Sequence, residues 1–275
     1  LRDKHAPDIE LEFDFQTNAV LISDAWIDFF TANQRHLHLG VSCDGPAAIH
    51  DAHRTNWGGK PTHAKVLTGM MRLRDNGIPF KIISVVSDAT LNDPDGFFDF
   101  ILDWQDSLSG FHFNVLADGG LADVPGLTYG RSDRDRYYRF YRHLLLRARD
   151  HARVRSGFHV QNFAQAVARI LFTRSVAVAL ASAPLRTLNV DAEGHVTTFY
   201  AGLERSAFAD HYGDGQGLAL GNIVTTPLAK MVWGPKLQQI QSDFRRSQAG
   251  CQETCDYFGL CPGGFELTQL GANGD

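Results

Sequence analysis

The spacing of hydrophobic and polar positions switches repeatedly between strand and helix periods over the first 115 residues. Four segments have the alternating or continuously apolar pattern of β-strands: 9–15, 36–41, 79–87 and 110–115. Three segments between them repeat apolar residues at helical spacing: 24–33, 61–76 and 95–104. This order predicts an α/β fold with a parallel sheet or part of a β/α barrel, with its active site at the carboxyl ends of the strands. Segment 79–87 is the most apolar, which predicts a strand covered on both faces.

The pattern changes after residue 117. A Gly- and Pro-rich loop (117–130) is followed by two helical segments, 132–152 and 158–180. Strand segments 185–190 and 195–200 then flank the turn sequence D-A-E-G, which predicts a hairpin. A short strand (218–223) and a helix (227–244) lead into the cysteine-rich end. We therefore expect three parts: a partial β/α barrel at 1–127, a helical bridge at 128–184 and a small α+β domain at 185–275.

Composition excludes several function classes. Hydrophobic residues make up 44% of the 275 residues and charged residues 21%, as in ordinary globular proteins. The net charge of −5 gives no electrostatic footprint for nucleic acid or an anionic membrane surface. No apolar stretch is long enough for a membrane span, and the first residues do not resemble a signal peptide. Four cysteines, three of them clustered, favour a reducing cytoplasm over a disulfide scaffold.

Three cysteines stand close together near the C-terminus: Cys251, Cys255 and Cys261. Thiolates at this C-x3-C-x5-C spacing can converge on one soft metal centre, and the Gly263-Gly264 pair allows the tight bends that such a loop needs. The spacing is compatible with an iron–sulfur cluster, with a zinc site completed by a histidine, or with a turn that binds no metal.

Several motifs together resemble one enzyme family. The run G-V-S-C-D-G-P-A-A-I-H-D-A-H-R opens residues 40–63 and resembles the S-x-D-G-P-x-x-x-H-D-x-x-R signature of radical S-adenosylmethionine enzymes with a SPASM or twitch extension. Further agreements occur in the same order along the chain: 16–18 (Q-T-N), 82–86, 113–115 (F-N-V), 189–199 (N-V-D-A-E-G-H-V-T-T-F), 220–223 (L-G-N-I) and 251–264. The combination is most similar to maturases of ribosomally made peptides, including the glycine-rich-repeat and cyclophane-forming groups.

The sequence also departs from this family. The hallmark C-x3-C-x2-C, which binds the [4Fe–4S] cluster that reduces S-adenosylmethionine, does not occur in the 275 residues. We expect either that two N-terminal β/α units lie outside this sequence, or that the protein is a non-catalytic relative. Ala19 stands where the family often has glycine after T-N, and the tail lacks a further cysteine, which leaves a fourth cluster ligand open.

The resemblance implies a cofactor site at the strand ends. Ser42 and Asp44 would hold the ribose hydroxyls of S-adenosylmethionine, and Arg54 would grip its carboxylate through two hydrogen bonds. Asn18 and Asn114 would offer amides at neighbouring strand ends. Without the resemblance, Asp44-Gly45-Pro46 is a turn, His50-Asp51 a local pair that caps a loop, and Arg54 a surface ion pair. Cys251, Cys255 and Cys261 would hold an auxiliary [4Fe–4S] cluster, and no catalytic residue is assigned.

Two residue types near this site have simpler interpretations. Cys43 shares the strand end with Ser42 and Asp44, but the period of two turns its side chain to the other face, which predicts a core residue. His36 and His38 are expected on the strand surface.

Three functions remain open at this point. The first is a radical maturase that crosslinks a precursor peptide through a carbon–carbon or carbon–heteroatom bond, with flavodoxin or ferredoxin as reductant. The second is oxidation of a protein side chain, as in sulfatase maturation. The third is a non-catalytic, metal-stapled protein that binds peptides. The edge of hairpin 185–200 could dock a peptide by strand addition.

Overall fold

The protein divides into two compact units. In the computed structural model, residues 8, 10–115, 131–151, 160–172, 188–198 and 209–258 are described. The first unit comprises residues 1–118 and 125–165, and the second comprises residues 119–124 and 166–275. The three-part division expected from the sequence stays a prediction.

A parallel four-stranded sheet forms the centre of the first unit. The strands follow one another across the sheet in chain order: β1 (Phe13–Thr17), β2 (Leu37–Ser42), β3 (Phe80–Val86) and β4 (Leu108–Val115). All three pairings are parallel, which confirms the predicted α/β class and puts the four carboxyl ends at one edge. Strand β1 begins at Phe13 rather than at residue 9, because its ladder starts where the Phe13 N–H donates to the His36 carbonyl.

Helices connect the strands of the first unit. They are α1 (Asp24–Asn33), α2 (Ala47–His50), α3 (His63–Asp75), α4 (Asp88–Asn92), α5 (Pro94–Trp104), α6 (Arg131–Asp150) and α7 (Gln161–Phe172), the last of which runs into the second unit. The predicted helix opening at Asp93-Pro94 is confirmed. The Asp93 carboxylate accepts from the Gly96 N–H at 2.9 Å, and Pro94 occupies the first turn, where its missing N–H costs no hydrogen bond.

Only one face of the sheet is fully covered. Residues of β3 alternate between buried and half-buried, so the prediction that both faces are covered is wrong for this strand. Helices α3, α5 and α6 pack on the buried face, where aromatic side chains dominate: Phe80, Phe97, Phe98, Phe111, Phe113 and Phe140. The cause of the error is Ile83 and Val85, apolar residues that point to the half-buried face and lengthen the apolar run.

The second unit contains a small antiparallel sheet and two helices. Strand β5 (Asn189–Val190) pairs with β6 (His195–Thr197), which pairs with β7 (Gly221–Asn222). The hairpin turn is confirmed, and its Gly194 adopts φ +89°, which a side chain would disfavour. Parts of the predicted strands, residues 185–187 and 199–200, lie outside the described residues. The segment predicted as one helix, 227–244, contains two helices, α8 (Leu228–Val232) and α9 (Pro235–Thr254). Gly234 separates them in an extended conformation, and Pro235 begins the second helix.

The described part of the second unit has its own core, which Leu218, Leu237, Ile240 and Phe244 form between α9 and the preceding segment. In the part of the chain that the structure describes, no helix is both long and apolar enough to cross a bilayer.

Candidate functional site

A buried ion pair lies at the carboxyl end of β2. Asp44 is 5% exposed, and its carboxylate accepts from Arg54 Nε at 2.5 Å, from Arg54 Nη2 at 3.0 Å and from the Val85 N–H at 2.8 Å. The Arg54 side chain remains 30% exposed. Asp44 therefore fixes the plane of the guanidinium, while the two N–H groups of Nη1 have no acceptor among the described residues.

His50 contacts the backbone of Asp44, and its hydrogen bonds select one tautomer. Its Nδ1 accepts from the Asp44 N–H at 3.3 Å, and its Nε2 lies 3.2 Å from Thr62 Oγ1. The Thr62 hydroxyl donates to the Arg54 carbonyl at 2.7 Å, so its oxygen accepts a hydrogen bond from the protonated Nε2 of His50. Burial lowers the pKa of His50, and the Arg54 charge lowers it further against the opposing effect of Asp44. A neutral imidazole is the form that fits these contacts.

Asp51 joins this segment to the start of α3. Its Oδ1 accepts from the backbone N–H groups of Thr62 and His63, each at 2.9 Å. Such a carboxylate satisfies donors that have no partner within the helix. The local hydrogen-bonded pair expected of His50 and Asp51 is therefore wrong: the His50 side chain binds Asp44 and Thr62, whereas the Asp51 side chain caps the start of α3.

The other predicted site residues lie at strand ends but do not contact Arg54. Ser42 Oγ accepts from Gln16 Nε2 at 3.0 Å. Asn18 Oδ1 accepts from the Val20 N–H at 3.1 Å, which closes a turn after β1. Asn114 is exposed on β4, and its Oδ1 lies 2.7 Å from His112 Nε2. The assignment of Ser42, Asp44, Arg54, Asn18 and Asn114 to a cofactor stays a prediction.

The half-buried face of the sheet carries a groove of about 350 Å³. Gln16, Gly40, Lys81, His112 and Asn114 are among the residues that line it. A Cβ at Gly40 would stand 2.5 Å from Gln16 Oε1, so the glycine makes room for the Gln16 amide. Lys81 and His112 were not singled out from the sequence. Their signal is the period of two, because both alternate with residues of the buried face.

The other local interpretations hold. Cys43 is fully buried, as predicted, and desolvation raises the pKa of its thiol to about 12. His36 and His38 are exposed on and beside β2, as expected.

Two of the three clustered cysteines lie at the end of α9. Cys251 occupies the last turn and Cys255 follows it, with the Cys255 N–H donating to the Cys251 carbonyl at 2.9 Å. Residues four apart at a helix end lie on one side of it, which is the arrangement that a shared metal centre needs. Cys251 and Cys255 form no disulfide with each other or with Cys43. Cys261 lies outside the described residues.

Sequence comparison finds relatives that match nearly the whole chain and others that match about a third of it. No family profile matches. An uncharacterized protein of Synechocystis is 32% identical over 270 residues, which are 96% of this chain and 64% of that protein. The serine-type anaerobic sulfatase-maturating enzyme of Bacteroides thetaiotaomicron is 36% identical over 100 residues, or 24% of its length. The chain thus spans less than two thirds of the curated relatives that it matches.

Structural comparison finds two groups of solved proteins with this fold. anSMEcpe with bound AdoMet has a TM-score of 0.76 at 20% identity, over 97% of this chain and 66% of that one. SuiB of Streptococcus suis has a TM-score of 0.58 at 14% identity, over 94% of this chain and 57% of that one. In sequence the chain is similar to sulfatase-maturating enzymes, and its fold is that of anSMEcpe and SuiB, as the motifs that follow one another along the chain predicted.

Proposed function

We propose that this chain belongs to a radical S-adenosylmethionine maturase, an oxidoreductase that modifies a peptide or protein side chain. One observation carries the proposal. The S-C-D-G-P segment, with Arg54 held by Asp44, lies at the carboxyl end of β2 in a sheet with the fold of AdoMet-bound anSMEcpe. In parallel α/β folds that end of the sheet is where ligands bind.

The residues at this end of the sheet fit S-adenosylmethionine. Arg54 offers the two N–H groups of Nη1 to the carboxylate of the cofactor, and Asp44 keeps the guanidinium in place for that contact. The Ser42 hydroxyl and the Asn114 amide supply polar contacts for the ribose and the base, and Asn18 stands at the neighbouring strand end. S-adenosylmethionine, when reduced by one electron, would supply the radical that abstracts a hydrogen atom from an unactivated carbon. The residues around it would bind and orient the cofactor and exclude water from the site.

Cys251 and Cys255 fit an auxiliary [4Fe–4S] cluster, with Cys261 as the third thiolate of the motif. The two described thiols are accessible at a helix end and form no disulfide with each other, as ligands must be. A cluster there would accept the electron that leaves the substrate, or stabilise the second unit. A flavodoxin or ferredoxin would supply the reducing electron.

The specific reaction we propose is a crosslink in a ribosomally made precursor peptide. The V-T-T-F and L-G-N-I segments and the cysteine motif support it, as does the likeness of fold to SuiB, which has been solved bound to the precursor peptide SuiA. Hydrogen abstraction, bond formation to a nearby aromatic ring or heteroatom, and loss of one electron and one proton together remove two hydrogens.

A second candidate is oxidation of a serine or cysteine side chain to an aldehyde. It is favoured by the sulfatase-maturating relatives and by the TM-score of 0.76 to anSMEcpe, against 0.58 to SuiB. Oxidation of a serine also removes two hydrogens but leaves a carbonyl and no ring.

Tandem mass spectrometry of the product separates the two reactions. The protein, expressed as its genome encodes it, would be reconstituted anaerobically with iron and sulfide and given the precursor peptide encoded beside it. A crosslink suppresses backbone fragments between the joined residues, whereas an aldehyde reacts with hydrazine. A hydrazine-reactive product would establish the second candidate. An unchanged peptide, with no 5′-deoxyadenosine formed, would overturn the proposed function as a whole.

A further inference from the structure

Helix α6 is strongly basic in a chain that is acidic as a whole. Residues 134–150 contain six arginines and two aspartates, a net charge of +4, whereas the net charge of the chain is −5. Arg136, Arg139 and Arg142 follow one another at intervals of three, so they lie along one side of the helix. Neighbouring like charges on a helix repel one another, and an anionic partner would relieve that repulsion.

This side of α6 borders a groove of about 710 Å³, within the size range of ligand sites. The wall across from α6 is the segment that joins α4 to α5. Arg136, Arg139 and Arg142 supply the cations of the groove, and Leu91 and Leu146 are among its apolar residues. Among the described residues, none that lines the groove carries a carboxylate.

Acidic residues of the first unit already neutralise the flanks of the groove. Arg136 Nη1 lies 2.8 Å from Asp88 Oδ1, and His143 Nε2 lies 2.8 Å from Asp95 Oδ1. Arg147 binds Asp95 as well, at 2.9 Å. These pairs order the ends of α4 and α5 against α6.

Arg139 and Arg142 are different. Both are exposed, and neither side chain has an ion pair or hydrogen bond with any residue that the structure describes. Asp135, the nearest acidic residue along the helix, is exposed one turn before Arg139. The groove therefore presents, beside apolar surface, two guanidinium groups whose donors have no acceptor among the described residues.

We propose that this groove binds an acidic segment of the peptide substrate. Carboxylates of the peptide would pair with Arg139 and Arg142, and an apolar side chain between them would pack on Leu91 and Leu146. A concave site with an apolar floor suits an extended peptide better than the convex surface of a folded acidic protein. The inference rests on the proposed function only in identifying the peptide as the substrate.

Fluorescence anisotropy tests the inference directly. The probe is a fluorescein-labelled peptide in which the unit Glu-Glu-Leu-Gly is repeated three times, and its control carries Gln in place of Glu. Replacing both arginines, Arg139→Gln with Arg142→Gln, should weaken binding of the acidic probe by about tenfold or more, since each loses a charge-assisted hydrogen bond. The double variant Arg139→Lys with Arg142→Lys keeps the charge, and its affinity for the acidic probe should lie between those of the wild type and the Gln double variant.

A matched control removes the same charge elsewhere. Arg35 and Arg245 are also exposed, and Arg35→Gln with Arg245→Gln should change the affinity by less than about twofold. Equal losses of affinity in the two Gln double variants, or equal affinity of the wild type for the Gln and Glu peptides, would show that binding does not depend on Arg139 and Arg142 in particular. Either result would overturn the inference. Binding of flavodoxin but not of the peptide to this groove would overturn it too.

Formation of 5′-deoxyadenosine separates this inference from the proposed function. Peptide binding that depends on Arg139 and Arg142, in a protein that forms no 5′-deoxyadenosine, would support the groove and contradict the function. If the protein forms 5′-deoxyadenosine but all variants bind the acidic probe equally well, the proposed function would be supported and the groove contradicted.

Discussion

The carboxylate of Asp44 holds the guanidinium of Arg54 through both Nε and Nη2, and the Val85 N–H donates to the same carboxylate. The pair joins the end of β2 to the loop that follows α2 and to the middle of the sheet. Because Asp44 is buried and Arg54 is only partly exposed, the loss of either partner leaves a charged or polar group without its hydrogen bonds.

Asp44→Asn should therefore lower the free energy of unfolding by about 2–3 kcal/mol, less than for a fully buried pair because water reaches Arg54. The matched control is Asp150→Asn, which removes the acceptor of Arg149 at the exposed end of α6 and should cost less than about 0.5 kcal/mol. Urea denaturation measures both values. Equal costs for the two variants would show that the Asp44–Arg54 pair contributes no more than a surface pair.

Stability should fall as the pH drops below the ordinary histidine pKa of 6.5. Burial lowers the pKa values of His50 and His63 in the folded protein, so the unfolded chain takes up protons that the folded protein does not. His50 contributes up to about 1.4 kcal/mol per pH unit to the slope of the free energy of unfolding against pH. The effect should be absent at higher pH, where both states are neutral.

Urea titrations at several pH values check the contribution of His50. His50→Asn keeps an acceptor for the Asp44 N–H but cannot be protonated, so its stability should vary less with pH below 6.5 than that of the wild type. His36→Asn, at an exposed position, should leave the slope unchanged. An identical slope in His50→Asn and the wild type would contradict the neutral tautomer assigned here.

Gly69 should be intolerant of a side chain. It lies in α3, and a Cβ there would stand 2.0 Å from the carbonyl oxygen of Ala19, a residue with φ +56° in the turn after β1. Gly69→Ala should destabilise the protein by about 2–4 kcal/mol, because backbone must move. Gly250→Ala in α9 meets no atom within 4 Å and should stabilise by about 0.5–1 kcal/mol. Thermal unfolding of both variants measures the difference, and a neutral Gly69→Ala would refute the close approach.

The sequence predicted the strand–helix order and the polar strand end at Ser42-Cys43-Asp44, because both follow from periodicity and turn chemistry. It did not predict that Asp44 would bind Arg54 and Val85, or that Gln16 would bind Ser42. Those contacts depend on which strands become neighbours. The continuous apolar run of β3 did not indicate that one face is only half-buried, since Ile83 and Val85 are compatible with a buried or a half-buried position.

One missed feature did have a sequence signal. The break between α8 and α9 falls at Gly234-Pro235, a pair that ends helices and starts new ones, and the apolar positions on both sides concealed it. The Asp51 cap of α3 had a weaker signal, because its partners lie eleven and twelve residues further along the chain.

Iron at the C-terminal motif should depend on the clustered thiols alone. Replacing Cys251 and Cys255 by alanine should remove the iron and labile sulfide of that site from anaerobically prepared protein. Cys43→Ala should leave them unchanged, because the Cys43 thiol is buried and its pKa of about 12 keeps it protonated. Iron and sulfide assays with zinc analysis measure this. Stoichiometric zinc without labile sulfide would contradict the cluster.

Arg54 should matter more for binding S-adenosylmethionine than for the chemical step. Arg54→Lys keeps the charge but loses the planar fork that Asp44 orients, so the KM for the cofactor should rise by about tenfold while kcat changes less. The control is Arg149→Lys, at an exposed position where the guanidinium binds its neighbour Asp150.

The most direct test of the account is the rate at which 5′-deoxyadenosine forms from S-adenosylmethionine. The protein would be expressed as its genome encodes it, reconstituted anaerobically with iron and sulfide, and reduced with dithionite. We expect 5′-deoxyadenosine from the wild type and a raised KM for S-adenosylmethionine in Arg54→Lys but not in Arg149→Lys. No 5′-deoxyadenosine from fully reconstituted wild-type protein would contradict it.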